Sequence, residues 1–189
     1  MLVRWDHPEL GRISPGMFIP IFEKNGLIQK LDFYIWDQAL ECAGRWKKKH
    51  GIELPLSVNV SRMDLYNSTL IDFIVEKLNE HNISKSNLYL EITESAYMDD
   101  PDQLIEIIDS LRSEGFKIEM DDFGCGYSSL NMLADVPVDV LKLDMRFIHN
   151  LKSSAKQETM IRLVMDIGIT LSAKLASFSS ASSAGADDN

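Results

Sequence analysis

The chain has 189 residues, 45% hydrophobic and 25% charged, an ordinary globular composition sufficient for one core in one domain. Its net charge of −10, from 29 acids against 19 bases, argues against wrapping nucleic acid without sequence preference, which needs a basic face. The acidity suits a site that holds cations, although for most of these acids the plain reading is a soluble surface.

Strands and helices alternate along the chain. "MLVRW" (1–5) reads as a short strand, and residues 14–51 as a helix in two pieces, started by Ser14 and Pro15 and broken at Gly26. The second piece carries apolar residues at 28, 31, 35, 39, 42, 43 and 46, a helical stripe that would bury Cys42. "PLSVNVS" (55–61) is a strand, 70–82 an amphipathic helix and "NLYLEITES" (87–95) a strand. A helix with an acidic start and a glycine stop follows at 100–116, then the strand "KIEMDDFG" (117–124) and a short helix at 128–137. "VDVLKLDMRFI" (138–148) is a strand running into a loop, and 155–171 a helix. From Ser177 the serine- and alanine-rich run reads as a flexible end, which divides the chain into a folded part, 1–175, and a tail, 176–189.

Cys42 and Cys125 stand in no metal-ligand spacing and suggest no disulfide scaffold, so a reducing, cytoplasmic setting is expected. No stretch approaches the roughly 18 apolar residues of a membrane span. Arg4, Asp6 and His7 interrupt any apolar leader.

A strand followed by a helix, repeated about five times, implies parallel strands with crossover helices, in an open doubly wound sheet or a closed barrel. No glycine-rich phosphate loop follows the first strand, which weakens the nucleotide-binding version of the former. In a barrel, chemistry gathers at the C-terminal strand ends. Here those ends carry Asn59, Glu91 with Glu94, Asp121 with Asp122, and Lys142 with Asp144.

Converging, these groups would offer the hard oxygen ligands that Mg²⁺ or Mn²⁺ prefers. Two ions held close would let the adjacent aspartates both stay charged, and such a pair activates water against a phosphodiester. Lys142 could position that water and Arg4 could hold a phosphate oxygen. Each has a plainer reading: Asn59 a turn or cap residue, Glu91 a solvent-facing strand residue, Lys142 a surface lysine, Arg4 a rim ion pair, and Asp121–Asp122 a helix cap. Together at successive strand ends they favour a metal site.

The motifs "LVRW" (2–5), "FIPIFEKNGLI" (18–28), "SVNVS", "LEITES", "DDFGCGYSSL" and "VLKLDMRFI" follow in order the pattern of the EAL domain, which the chain resembles from residue 1 to about 175. The resemblance implies a TIM-like α/β barrel, incomplete here, with an antiparallel strand near its start. It implies metal-dependent hydrolysis of cyclic di-GMP to linear pGpG, with Mg²⁺ or Mn²⁺ in a two-metal site. By motif match it makes Asn59, Glu91, Asp121 and Asp122 metal ligands, Lys142 the water-contacting lysine, Glu94 a supporting acid, and Arg4 and Asn59 substrate contacts. It leaves room for a homodimer and for fusion to a sensor or GGDEF domain in a longer parent.

Two departures accompany the resemblance. Met1 stands at the alanine of the family signature, so its metal-binding glutamate is not in the chain. After "LSAKL", Ala176, Ser177, Phe178 and Ser179 replace a run whose first glutamate serves the metal site. They predict turnover several powers of ten below that of a complete domain, or a module that binds cyclic di-GMP or a protein partner without hydrolysis.

Overall fold

The computed structural model describes residues 3–97, 100–124, 135–144, 162, 166 and 174–178. The chain divides into two compact units, the first running to Ser84 and the second from Lys85 to Ser180.

The first unit opens with a hairpin. β1 (Trp5–His7) pairs antiparallel with β2 (Gly11–Ile13), and Gly11 takes the positive φ of 70° that the tight return needs. The strand expected at 1–5 is therefore displaced: residues 3 and 4 are not in a strand, and pairing to β2 sets its limits. Helix α1 (Pro15–Asn25) starts after the extended Ser14 with Pro15 in its first turn, and ends at Gly26, left-handed at φ 75°. Helix α2 (Ile28–His50) follows, and its buried residues are Ile28, Asp32, Trp36, Ala39 and Leu40.

That face is rotated from the stripe expected on apolar residues alone. Cys42 and Trp46 are exposed, contrary to the expectation that Cys42 is core, and a carboxyl group, Asp32, takes an inner position. The helix is apolar over a wider arc than its neighbours cover. Strand β3 (Leu56–Asn59) comes next, then a one-turn helix α3 (Arg62–Leu65) held by a capping box between Ser61 and Asp64. Helix α4 (Leu70–Glu80) buries Leu70, Ile74 and Leu78 at four-residue spacing.

The second unit is built on parallel strands in the order β4 (Leu88–Thr93), β5 (Lys117–Phe123), β6 (Val140–Asp144) and β7 (Lys174–Phe178). A short helix α5 (Glu94–Tyr97) leaves β4 directly. Helix α6 (Pro101–Ser113) crosses from β4 to β5; Asp100 caps it by accepting from the Gln103 N–H at 3.1 Å, and Leu104, Ile108 and Leu111 are buried. Leu88, Leu90, Ile92, Ile118, Met120 and Leu141 are also buried, giving the near-continuous apolar runs of strands covered on both faces.

Strand β7 runs through Ala176, Ser177 and Phe178, so the flexible tail does not begin at Ala176. In-register pairing with β6, Lys142 opposite Ala176 and Asp144 opposite Phe178, overrides a weak local preference. The expected helix at 128–137 lies mostly outside the described residues, as do Cys125, all but Arg162 and Asp166 of the helix expected at 155–171, and the chain beyond Phe178. No described helix is long and apolar enough to cross a membrane.

Candidate active site

In the second unit three buried side chains meet across three strands. Glu91 on β4 and Glu119 on β5 are direct cross-strand partners, so their carboxylates start side by side. Two like charges there repel, more strongly out of water. Lys142 on β6 resolves this: its ammonium pairs with Glu91 Oε1 and lies 2.7 Å from Glu119 Oε2. All three are nearly closed off, at 8%, 6% and 6% exposure for Glu91, Glu119 and Lys142. Burial alone would lower the lysine pKa, but the Glu119 and Glu91 carboxylates outweigh it and hold it above the ordinary value. The plainer readings of Glu91 as solvent-facing and Lys142 as a surface lysine are thereby ruled out.

The aspartate pair lies where β5 slips register. Met120 faces Leu141 and Phe123 faces Leu143, which leaves Asp121 and Asp122 opposite the single residue Lys142. This is a β-bulge, and Asp122 takes its left-handed position at φ 57°. The two acids consequently face differently: Asp121 is half-buried and Asp122 exposed. Burial raises the Asp121 pKa, with the charges of Glu91 and Asp144 acting the same way and the Asp122 N–H and Lys142 opposing. Asp144, at the end of β6, is buried as well.

Glu94 opens α5 and is buried; its Oε2 accepts from the Gly124 N–H at 3.0 Å, tying α5 to the turn after β5. Its Oε1 is buried with no hydrogen-bond partner among the described residues. Gly124 has φ 96°, a conformation that suits glycine.

Arg4 and Asn59 belong to the first unit. The Arg4 guanidinium donates to the Val3 carbonyl at 2.8 Å and is exposed. Asn59 ends β3, its side chain exposed and its carbonyl accepting from Trp36 Nε1 at 2.9 Å. The second unit thus brings together Glu91, Asp121 and Lys142 of the expected residues, with Glu94 bracing the adjoining turn. Sequence reasoning missed Glu119. Its signal was present, since an acid between Ile118 and Met120 in a strand bounded by other buried strands must find a cation.

The EAL domain family matches residues 1–176. The chain belongs to that family. It is 35% identical over 174 residues to the bifunctional diguanylate cyclase/cyclic di-GMP phosphodiesterase MucR of Pseudomonas aeruginosa, covering 92% of this chain and 25% of the relative. It is 32% identical over 170 residues to the cyclic di-GMP phosphodiesterase PdeR of Escherichia coli, covering 90% and 26%. The chain therefore spans about a quarter of the length of these curated relatives. Among solved structures, the MucR phosphodiesterase in complex with cyclic di-GMP superposes with a TM-score of 0.83 at 35% identity, covering 93% of this chain and 71% of that one. The EAL enzyme Bd1971, in its form with cAMP and cyclic di-GMP bound, gives 0.80 at 27% identity, covering 92% and 48%. The fold is the TIM-like α/β fold of EAL domains.

For this EAL domain the donors suit a hard divalent cation in kind, being carboxylates; burial first, and then the Glu91 and Asp144 charges, raise the Asp121 pKa. They are not yet set out as a cage: no group of three or more His, Cys, Asp or Glu among the described residues is arranged to hold a metal ion. Within the described residues the Lys142 ammonium lies against Glu91.

Proposed function

We propose that the chain is the phosphodiesterase module of a cyclic di-GMP signalling protein, hydrolysing the cyclic dinucleotide to linear pGpG with Mg²⁺ or Mn²⁺. The observation that carries this reading is the Glu91–Lys142–Glu119 cluster, set within the parallel strands β4, β5 and β6 rather than at their ends, with Asp121 two residues beyond Glu119; the named activities of MucR and PdeR support it. Glu91, Asp121 and Asp122 would hold the metal, which when bound supplies an acidified water and charge for the phosphodiester oxygens. Lys142 keeps its positive charge and three donors, so it can orient a water and counter charge developing on the phosphorus-bound oxygens. Glu94 fixes the Gly124 backbone beside the aspartates, and Arg4 would take a phosphate oxygen. The module works in the cytoplasm, fused to other domains in its parent.

A second reading, binding without turnover, is favoured by one specific observation: Lys142 occupies the carboxylate that the metal needs. Titrating cyclic di-GMP into the 189-residue chain with Mn²⁺, while following both bound nucleotide and linear product, separates the readings. Product that disappears with chelator supports hydrolysis, and binding without product supports the second reading. Neither binding nor product refutes both.

A further inference from the structure

We propose that Glu119 is a positioning residue that keeps Lys142 in the site when Glu91 turns to a divalent cation; this rests on the metal-dependent reading above. Glu91 carries two assignments that compete. Its Oε1 holds the Lys142 ammonium, and the same carboxylate is the expected metal ligand. A cation arriving at Glu91 therefore displaces a buried ammonium, and a buried charge stripped of its counter-ion is strongly unfavourable. Lys142 would then lose its place or its proton, and with it the role the reaction gives it.

Glu119 removes that conflict. It lies directly across from Glu91 on the neighbouring strand, so the one ammonium that pairs with Glu91 is already within reach of Glu119. Its Oε2 is buried and 2.7 Å from the ammonium, so its charge is directed at Lys142. With Glu119 present, metal uptake at Glu91 is a hand-off. Without it, metal uptake must break the lysine's contact with Glu91 and leave it less compensated. Glu119 therefore favours metal binding through Lys142 and touches neither metal nor nucleotide itself.

A double-mutant cycle tests this, with Mn²⁺ titrated calorimetrically into the complete 189-residue chain. Glu119→Gln should weaken Mn²⁺ binding about tenfold or more, as loss of a supporting partner does. In a Lys142→Met background, where Glu91 has no ammonium to release, the same Glu119→Gln change should alter Mn²⁺ affinity by less than about threefold. An equal loss in both backgrounds would mean that Glu119 acts on the metal directly, and overturns the proposal while leaving the metal reading intact. No Mn²⁺ binding by the unchanged chain overturns the metal reading and the proposal with it.

Should Lys142→Met fail to fold, the Lys142 ammonium resonance in ¹⁵N NMR serves instead. The unchanged chain should keep a protected ammonium signal on saturation with Mg²⁺, and Glu119→Gln should lose it only when Mg²⁺ is added. A signal insensitive to Mg²⁺ in Glu119→Gln overturns the proposal, because a merely structural Glu119 predicts that result.

Discussion

Replacing Asp32 by asparagine should make the first unit more stable at neutral pH, by an amount that grows with pH. Asp32 on α2 is 8% exposed and faces Asp64 of α3, which is fully buried. The Ser61 hydroxyl and N–H both donate to Asp64 Oδ2, at 3.2 Å for the N–H, while Asp64 Oδ1 is buried with no hydrogen-bond partner among the described residues. Burial, then the hydrogen bond and charge of Asp64, push the Asp32 pKa from its ordinary 3.8 up to about 8; the Glu23 charge adds to this and Ser61 opposes it. A carboxyl raised that far favours its protonated form at pH 7, and one proton between Asp32 and Asp64 lets the two carboxyls share a buried place.

The folded pKa is raised, so the folded chain binds the extra proton, and the associated stability is complete below about pH 4 and lost as pH rises through about 8. At about 1.4 kcal/mol per unit, the whole window is worth roughly 6 kcal/mol, a large share of a typical domain's stability. An asparagine in place of Asp32 would donate its amide N–H to the neighbouring carboxylate with no proton to take up. The advantage of Asp32→Asn should therefore rise by up to about 1.4 kcal/mol per pH unit between pH 5 and 8, reaching about 1–3 kcal/mol net at pH 7.5 after imperfect amide geometry is allowed for. Trp5, Trp36 and Trp46 all lie in the first unit, so urea unfolding followed by tryptophan fluorescence reads that unit directly. A stability difference between variant and parent that stays constant from pH 5 to 9 would refute the shared-proton argument.

Asp121→Asn should stabilise the metal-free chain by about 0.5–1.5 kcal/mol at pH 7, because a raised carboxyl pKa marks stability that fades as pH rises. The same change should abolish most of the melting shift produced by Mn²⁺, and thermal melts with and without the ion check both effects. Gly44→Ala should destabilise by about 1–3 kcal/mol although alanine favours helices, since its Cβ would come within 2.9 Å of His81 Cβ and 3.2 Å of its carbonyl oxygen; denaturant titration reads the loss. Glu94→Ala should cost about 1–3 kcal/mol by leaving the Gly124 N–H without its acceptor, and amide exchange at Gly124 should speed up accordingly.

The sequence carried most of the helical architecture because its signals are local. Pro15 after Ser14, Gly26 and Asp100–Pro101 mark ends through local backbone and capping signals that need no tertiary partner, and all three stand where expected. What failed depends on partners. Strand β2 is three residues long and exists through its pairing with β1, and β7 persists through Ser177 because β6 pairs with it. The α2 face was misjudged because apolar content was equated with burial. Trp46 and Cys42 are apolar but uncovered, whereas Asp32 is buried because Asp64 answers it.

The site was legible as a set of acids but not as an arrangement, and the difference lies in one extra residue. Asp121 and Asp122 sit side by side because together they face Lys142 across a bulge, and the left-handed turn at Asp122 sends its side chain toward solvent while Asp121 stays half-buried. Repulsion between the neighbours is thus relieved first by geometry and only then by a cation. Alternation along a strand cannot reveal this, since a bulge shifts the two-residue period at the point where the side chains matter most. Glu119 was overlooked for the same reason in reverse: its regular position placed it opposite Glu91, where only knowledge of the register shows that two buried acids share one lysine. With Lys142 removed, Glu91 and Glu119 would face each other uncompensated, so positive charge at this place serves the fold. The lysine supplies that charge within the chain, and a metal ion at Glu91 would have to compete with it.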